Sequence, residues 1–365
     1  MNLTVNTKLM MVMMNTTVTM STGTEDNRGN SVTKPFDIFI LLVICVSGVI
    51  GNILILGAIQ VEKALKHNTA NAFVCSLAVC DFIITAYIVP FLLANVIQGR
   101  DVLEDVSIMC TINSLLVMVT CGLSIYSMAM IALNRYLFIC WHTKARSIYT
   151  WRNTTIMVVL LWVLIPPLPL VPTLAGWGKQ QFNQKTLYCL FDHLNVGYTI
   201  YLLVLGIYIP TIAAAICYFK VYRKIRAISI KMQNHRTETN NAASRRTRET
   251  RVILMLFTSL MCFLLFWAPY GISAFADIGG HTNRYVLKYS AWLALSNSCL
   301  NTVIYGAMNK NFRSGYKKIL CFCVDTVLNN QAWREKPRRT EGILPCMNLV
   351  ADFPWEGEQV VTSIG

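Results

Sequence analysis

Long apolar stretches alternate with short charged segments along most of the chain. The stretch 109–133 contains no Asp, Glu, Lys, Arg or His, and Asn134, Arg135 and Tyr136 follow it directly. A helix of about 20 apolar residues crosses a hydrocarbon core of roughly 30 Å. The pattern therefore predicts an all-α membrane protein built as a seven-transmembrane helix bundle. The seven predicted spans are residues 36–60, 71–97, 109–133, 154–173, 198–219, 252–276 and 285–308.

The composition is also that of a chain embedded in lipid. Of its 365 residues, 55% are hydrophobic and only 14% are charged, whereas a soluble domain carries about 25% charged residues. The net charge of +14 arises from Lys and Arg crowded after spans one, three, five and seven. Such basic loops stay in the cytoplasm and set topology, so they do not indicate a nucleic-acid partner. We therefore expect a multi-pass plasma-membrane protein, surrounded by the lipid bilayer, with its N-terminus outside.

Four regions follow from this topology. In chain order they are an extracellular N-terminal tail (1–34), the seven-transmembrane domain (35–308), an amphipathic membrane-surface helix (309–323) and a cytoplasmic tail (324–365). The first region carries sequons at Asn2 and Asn15, which are candidate glycosylation sites on the outer face. In the third region, apolar residues at helical spacing alternate with Lys and Arg, which is typical of a helix lying on the inner leaflet.

The cysteines divide by position. Eleven of the thirteen lie in apolar segments or at cytoplasmic positions, where cysteine usually acts as a small buried hydrophobic residue. Only Cys110 and Cys189 fall on the outer face, in the oxidising compartment, so we expect a disulfide between them. Cys321 and Cys323, at the end of the amphipathic helix, are candidates for palmitoylation.

One residue in nearly every span matches a known pattern. The matching positions are Asn52, Asp81, Arg135 within Asn-Arg-Tyr, Trp162, Pro210, the Phe-Trp-Ala-Pro run at 266–269, Asn301 and Tyr305. With these residues the chain resembles the rhodopsin-like (class A) G-protein-coupled receptors over roughly 36–323. The resemblance implies an extracellular small-molecule ligand and a heterotrimeric G protein as partners, with arrestin and a receptor kinase as further partners.

The resemblance also implies a sodium site in mid-membrane. A carboxylate such as Asp81 is costly in the bilayer unless it holds a cation or has partners. The implied site consists of Asp81, Ser124, Asn297, Ser298 and Asn301. The alternative is a protonated carboxyl held by hydrogen bonds, and apart from this allosteric Na⁺ we expect no cofactor.

A second set of residues matches the family's activation switch. It consists of Asn134, Arg135, Tyr136, Glu249, Tyr218, Trp267, Pro269, Tyr305, Pro210, Ile125 and Phe263. In the family an acid at the position of Glu249 pairs with the arginine, and the proline kinks span six. Two positions depart from the family, since Asn134 replaces the usual Asp and Thr302 replaces the usual Pro. The packing members of this set are also compatible with plain core packing.

Asn-Arg-Tyr together with the run NSCLNTVIYGAMNKNFRSGYKKI resembles the melatonin receptors. Invertebrate receptors of the Moody and Trapped-in-endoderm type share similar features. Phe191 matches a ligand-contacting Phe of the melatonin receptors, whereas His193 stands in place of their Gln and Pro172-Thr173 in place of their Asn. A hydrogen-bonding site that loses its donors usually loses its ligand.

The lining expected from the family favours a neutral or amphipathic small molecule. Amine receptors have an Asp where this chain has Val117, and opsins have a Lys where it has Leu295, with Lys288 two turns outward. The candidate lining residues are Val117, Met118, Cys121, Phe191, His193, Tyr198, Trp267, Tyr270 and Trp292. Most of these side chains are equally compatible with the bundle core.

Other classes of membrane protein compete with the receptor. A transporter or channel is the alternative, but transporters tend to show internal repeats and paired broken helices, and the two halves of this chain show no repeat. An enzyme is disfavoured because the chain has no His-Glu-x-x-His or Gly-x-Ser-x-Gly motif. The sequence therefore favours a receptor that activates a G protein, and the melatonin-like features suggest the Gi/o class.

Overall fold

Eight long helices account for most of the computed structural model, which describes residues 26–102, 107–191, 195–233, 240–277 and 282–332. The first four are α1 (Asp26–Val61), α2 (Asn71–Gln98), α3 (Ser107–Cys140) and α4 (Trp151–Leu174). The others are α5 (Val196–Leu203, Val204–Tyr208 and Ile209–Gln233), α6 (Asn240–Ala276), α7 (Arg284–Met308) and α8 (Lys310–Ala332). Short helices at Lys63–Lys66 and His142–Ile148 lie in two connections.

Six of the described helices, α1 to α6, are long and apolar enough to cross a membrane. The remaining bundle helix, α7, has 25 residues but carries Lys288, Asn297, Ser298 and Asn301, all of which are buried. A helix whose polar side chains face other helices has a lower mean hydropathy than a helix that mainly faces lipid. The seven predicted spans therefore correspond to seven helices of one bundle.

The segment between α4 and α5 folds into an antiparallel hairpin, which the sequence analysis did not predict. Its strands are β1 (Gln180–Asn183) and β2 (Tyr188–Phe191), with Phe182 opposite Cys189. Cys189 forms the expected disulfide with Cys110, their Cα atoms 5.2 Å apart. The bridge fixes β2 to the start of α3, and we call this end of the bundle the hairpin end and the opposite end the α8 end.

α8 begins immediately after α7 and folds back against α1. Its Phe312 side chain is buried, with its ring centre 5.0 Å from that of Tyr305. Gly315 allows the close approach, since a Cβ there would lie 2.6 Å from the Cβ of Ala58. Glu62 accepts hydrogen bonds from Lys318 Nζ (2.8 Å) and Ser314 Oγ (3.1 Å), and these bonds lower the pKa of Glu62.

Two helices run longer than their apolar patterns. α1 begins at Asp26, before the predicted start of the membrane domain, and α8 continues to Ala332, beyond the predicted end at residue 323. Apolar periodicity marks the part of a helix that is buried, and it does not mark where the backbone helix ends. Cys321 and Cys323 therefore lie within α8 and not after it, while Asn2 and Asn15 lie outside the described residues.

A proline disturbs α5 beside the bundle core. The backbone N–H of Ile209 bonds to Val204 O, five residues before it. In the same register, the carbonyl of Leu205 would need a donor from Pro210, which has no N–H. Tyr126 of α3 supplies one, because its hydroxyl donates to Leu205 O at 2.8 Å. The wide turn in α5 is therefore stabilised from α3.

Replacing Tyr126 with Phe should destabilise the bundle. The substitution leaves a half-buried carbonyl without its donor, which costs about 1–3 kcal/mol. We expect a lower unfolding temperature for the purified protein. Tyr208→Phe is the matched control, because Tyr208 belongs to the same turn but is 53% exposed. Equal unfolding temperatures for the two variants would contradict this account of α5.

Candidate functional site

A cavity of about 170 Å³ lies in the hairpin half of the bundle. It is lined by α3, α5, α6 and α7, with residues of α2 and α4 at its margin and the hairpin as its roof. A single water molecule needs about 10–15 Å³ by the same kind of measure. The cavity is therefore large enough for a small organic molecule.

Most of the predicted lining residues border this cavity. They are Val117, Met118, Cys121, Phe191, Trp267, Tyr270 and Trp292. Tyr198 is a correction, because it is fully buried behind the wall and does not line the cavity. Its hydroxyl donates to Pro169 O (3.3 Å) and its ring lies edge-on against Phe191 at 5.9 Å, so it positions Phe191. His193 lies outside the described residues.

The cavity wall is apolar and uncharged as far as the structure describes it, since no Asp, Glu, Lys, Arg or His is among the described lining residues. Its polar members include Thr186, Tyr188, Thr199 and Tyr201, none of which was predicted. Thr186 and Tyr188 could be placed only once the fold of the segment between α4 and α5 was known. On α5, the sequence analysis chose Tyr198, whereas the next residue, Thr199, is the one that lines the cavity.

The roof is held on several sides. Lys185 Nζ, at the hairpin turn, forms a salt bridge of 2.5 Å with Asp277 beyond α6. Asn95 of α2 donates to the carbonyl of Leu187 at 3.1 Å. Together with the disulfide, these contacts fix the hairpin over the cavity.

A buried ion pair joins α1 to α7 beside the cavity. Lys288 Nζ lies 2.7 Å from Asp37 Oδ2, and both side chains are 5% exposed. Tyr289 OH donates to the other carboxylate oxygen at 2.9 Å. The ammonium group also lies 5.1 Å from the ring centre of Trp292, which lines the cavity. The sequence showed a lysine within a span, but its partner lies 251 positions away.

Breaking this pair on one side should be costly. Lys288→Met leaves the Asp37 carboxylate buried without its cation, and such a loss costs about 3–5 kcal/mol. We expect a lower unfolding temperature and less folded protein, and the double variant Asp37→Leu/Lys288→Met should recover much of the loss. Lys318→Met is the control and should change little, because the Lys318 side chain, which pairs with Glu62, is 54% exposed. A similar decrease in unfolding temperature for Lys288→Met and Lys318→Met would contradict the claim that the buried pair contributes more to stability than the exposed one.

The predicted sodium-site residues converge in mid-bundle. Asn301 Nδ2 donates to Asp81 Oδ2 at 2.8 Å, and Asn301 Oδ1 accepts from Ser259 Oγ at 2.6 Å. The Ser298 side chain is a second hydrogen-bond partner of Asp81, and the Ser298 carbonyl accepts from Asn52 at 3.1 Å. Ser124 and Asn297 are also buried, and the Ser124 hydroxyl has the Cys80 thiol as a neighbour. A buried carboxylate with hydroxyl and amide groups is a donor set that suits a hard cation.

The aromatic floor of the cavity leads towards this polar core. Trp267 stacks on Phe263, with ring centres 5.6 Å apart. Phe263 belongs to a buried cluster with Ile125, Met128 and Leu77. Two members of the predicted packing trio, Ile125 and Phe263, therefore lie in one cluster, and the third, Pro210, is buried on α5.

At the α8 end, the two switch tyrosines are buried in one cluster. Tyr218 is 5% and Tyr305 1% exposed. Asn134 is buried with neither amide atom paired among the described residues, while Lys220 Nζ lies 5.4 Å over the ring of Tyr136. The side chain of Glu249 lies outside the described part, so its pairing with Arg135 stays a prediction.

Residues 51–305 match the family described as "7 transmembrane receptor (rhodopsin family)". This chain belongs to that receptor family. The receptor is 29% identical to melatonin receptor type 1A of Mus musculus over 289 residues, covering 77% of this chain and 79% of the relative. It is 30% identical to melatonin receptor type 1A of Gallus gallus over 292 residues, or 78% and 80% of the two chains.

These relatives place the receptor in the melatonin-receptor-like branch, as its motifs indicated. The crystal structure of squid rhodopsin superimposes with a TM-score of 0.70 at 19% identity, covering 85% of this chain and 93% of that one. At this identity the likeness concerns the fold alone, and it confirms the seven-helix bundle. Because the family consists of receptors, the expectation that the protein is not an enzyme is also confirmed.

Proposed function

We propose that this receptor binds a neutral or amphipathic small molecule from outside the cell and activates a heterotrimeric G protein of the Gi/o class. The observation that carries the proposal is the stacked pair Trp267 and Phe263. Both residues border the cavity, and Phe263 also belongs to the buried cluster with Ile125 and Met128. A change in cavity occupancy therefore acts directly on α6 above the cluster that leads to the α8 end.

The proposed orientation puts the hairpin end outside the plasma membrane. The disulfide of the hairpin requires an oxidising compartment. Basic residues at the opposite end, including Lys63, Lys66, Lys144 and Arg146, favour the cytoplasm. The ligand cavity is then reached from the extracellular half of the bundle.

The mechanism requires a ligand with higher affinity for one of two receptor conformations, because only differential affinity shifts an equilibrium. Trp267 lies two residues before Pro269, which is inside α6 and removes one of its backbone hydrogen bonds. Movement of α6 about this point would separate its α8 end from α3 and expose Arg135. A groove formed in this way would admit a helix of the G protein, and arrestin and a receptor kinase would recognise the same end.

Ligand-dependent inhibition of cAMP formation tests this function. Cells that express the receptor should respond to melatonin or to a related neutral compound by lowering cAMP. Arg135→Ala should abolish the response at equal surface expression, because the arginine is the proposed G-protein contact. A response of equal size in the Arg135→Ala receptor would contradict the proposed coupling.

We also propose that Na⁺ binds at Asp81 and favours the inactive conformation. The fit rests on the buried carboxylate of Asp81 and on the Ser298 and Asn301 side chains that contact it. Asp81 and Ser124 would hold the ion with Asn297, Ser298 and Asn301 around it. When bound, the ion would neutralise a charge that is otherwise costly in the membrane.

Sodium should therefore oppose agonist binding. Replacing NaCl by N-methylglucamine chloride at constant ionic strength should increase agonist affinity several-fold, since linkage of about 1–3 kcal/mol is typical of allosteric sites. Asp81→Asn should make the affinity insensitive to the exchange. Sensitivity that persists in Asp81→Asn would place the ion elsewhere.

A further inference from the structure

Four buried polar groups in the cavity wall have no hydrogen-bond partner among the described residues. They are Thr186 Oγ1, Tyr188 OH, Thr199 Oγ1 and Trp292 Nε1, and each parent residue lines the cavity. We propose that these four groups are the polar anchors of the ligand, which is an uncharged, largely apolar molecule with at least two hydrogen-bond acceptors. The proposal rests on the proposed function, because it takes the cavity as the ligand site.

Unpaired buried groups are rare, because desolvation without a partner is costly. The exposed fractions of these residues are 1% for Thr186, 4% for Tyr188, 4% for Thr199 and 2% for Trp292. Tyr201 lines the same cavity, but its hydroxyl donates to Leu168 O at 3.2 Å and is thus paired within the protein. The four groups differ from it in being buried donors without a partner among the described residues.

The position at which melatonin receptors have their Asn offers no free group here. Thr173 Oγ1 donates to Pro169 O at 2.8 Å and accepts from Gln180 Nε2 at 3.1 Å. Its hydroxyl is thus used by the protein, and it does not line the cavity. Polar recognition must come from other parts of the wall.

The chemistry of the four groups defines what they can hold. The indole N–H of Trp292 can only donate, and each hydroxyl can donate as well. Burial raises the pKa of Tyr188 well above its ordinary value, so it remains a neutral phenol. The complementary ligand groups are carbonyl, ether or amide oxygens.

A charged ligand is disfavoured by the same wall. No charged side chain is among the described lining residues, and an ion buried without a counter-ion is strongly destabilised. Lys288 Nζ lies 5.1 Å from the centre of the Trp292 ring, but this ammonium is already paired with Asp37. An anion would therefore have to compete with a buried carboxylate for this cation.

The four proposed anchor groups belong to three separate elements of the fold. Thr186 and Tyr188 belong to the hairpin, whose turn is held by Asn183 Oδ1, the acceptor from the backbone N–H of Thr186 at 3.2 Å. Thr199 is on α5 and Trp292 on α7, where Tyr289 packs edge-on against the indole at 5.6 Å. A ligand held by these groups is fixed at the roof and at two walls, and little conformational freedom is lost on binding.

The first arm of the test needs no ligand. The purified full-length receptor is unfolded thermally as Tyr188→Phe and as its matched control Tyr201→Phe. We expect Tyr188→Phe to keep or raise the unfolding temperature, because it removes an unpaired hydroxyl, and Tyr201→Phe to lower it, because it removes a paired one. A decrease for Tyr188→Phe as large as for Tyr201→Phe would show that the hydroxyl has a protein partner and overturn the proposal.

The second arm measures binding of three indole probes to the same protein. Melatonin is neutral and carries ether and amide acceptors, N-acetyltryptamine lacks the ether, and tryptamine is a cation without either acceptor. We expect affinity to decrease in that order. Tyr188→Phe and Thr199→Val should each weaken melatonin binding by up to about tenfold, the loss of one hydrogen bond. Tyr208→Phe, at a 53% exposed residue of α5 that does not line the cavity, should preserve it.

The outcomes separate this proposal from the proposed function. Melatonin binding that depends on Tyr188 and Thr199, without any G-protein activation, would support the anchors and contradict the function. Activation by tryptamine in preference to melatonin would support the function and overturn the neutral-ligand class. Failure of both acylated probes to bind would also overturn that class, as would melatonin binding that is unaffected by Tyr188→Phe and Thr199→Val.

Discussion

Polar groups inside a bilayer must find their partners within the protein, because hydrocarbon provides none. This constraint explains much of the bundle. Ser76 accepts hydrogen bonds from Ser127 of α3 and Trp162 of α4, which ties both helices to α2. Asn301 connects α7 to Asp81 of α2. The contacts that satisfy polar groups are therefore the same ones that set the helices in position.

The same constraint applies to the buried polar groups that have no partner among the described residues. Where the protein leaves a buried donor without a partner, something else must satisfy it or the cost remains. In this receptor such groups include Tyr188 and Trp292, which border the cavity, Asn134 beside Arg135, and Asn52, Asn113 and Thr302 elsewhere in the bundle. The groups proposed to bind the ligand are the members of this set whose residues border the cavity.

Much of the fold could be predicted from the sequence, because apolar runs and basic loops record burial and topology directly. Trp267 and Phe191, predicted by residue-by-residue resemblance, do border the cavity, and Asn301 contacts Asp81. The same resemblance misplaced Tyr198, because a match in position along a helix does not show which side of a wall the ring occupies. Lys288 could be noticed, but its pairing with Asp37 depends on the packing of two distant helices.

The hairpin was the largest element that the sequence did not predict, and its residues Thr186 and Tyr188 were therefore missed as well. A short loop between spans has no hydrophobic period long enough to indicate strands. Its fold depends on the disulfide, on the salt bridge from Lys185 and on the turn at Leu187, where the backbone φ is 56°. Such features arise from contacts with other elements, so the polar hairpin residues that border the cavity could not be predicted from the sequence.

We propose that the cavity and the α8 end are two binding sites that act on one equilibrium between two receptor conformations. Linkage then requires that a G protein bound at the α8 end changes ligand affinity by the same factor as the ligand changes G-protein affinity. The most direct measurement is melatonin binding to the purified receptor in lipid nanodiscs, with and without nucleotide-free Gi. The account predicts several-fold tighter binding with Gi and loss of that increase in Arg135→Ala. Unchanged affinity in the presence of bound Gi would contradict it.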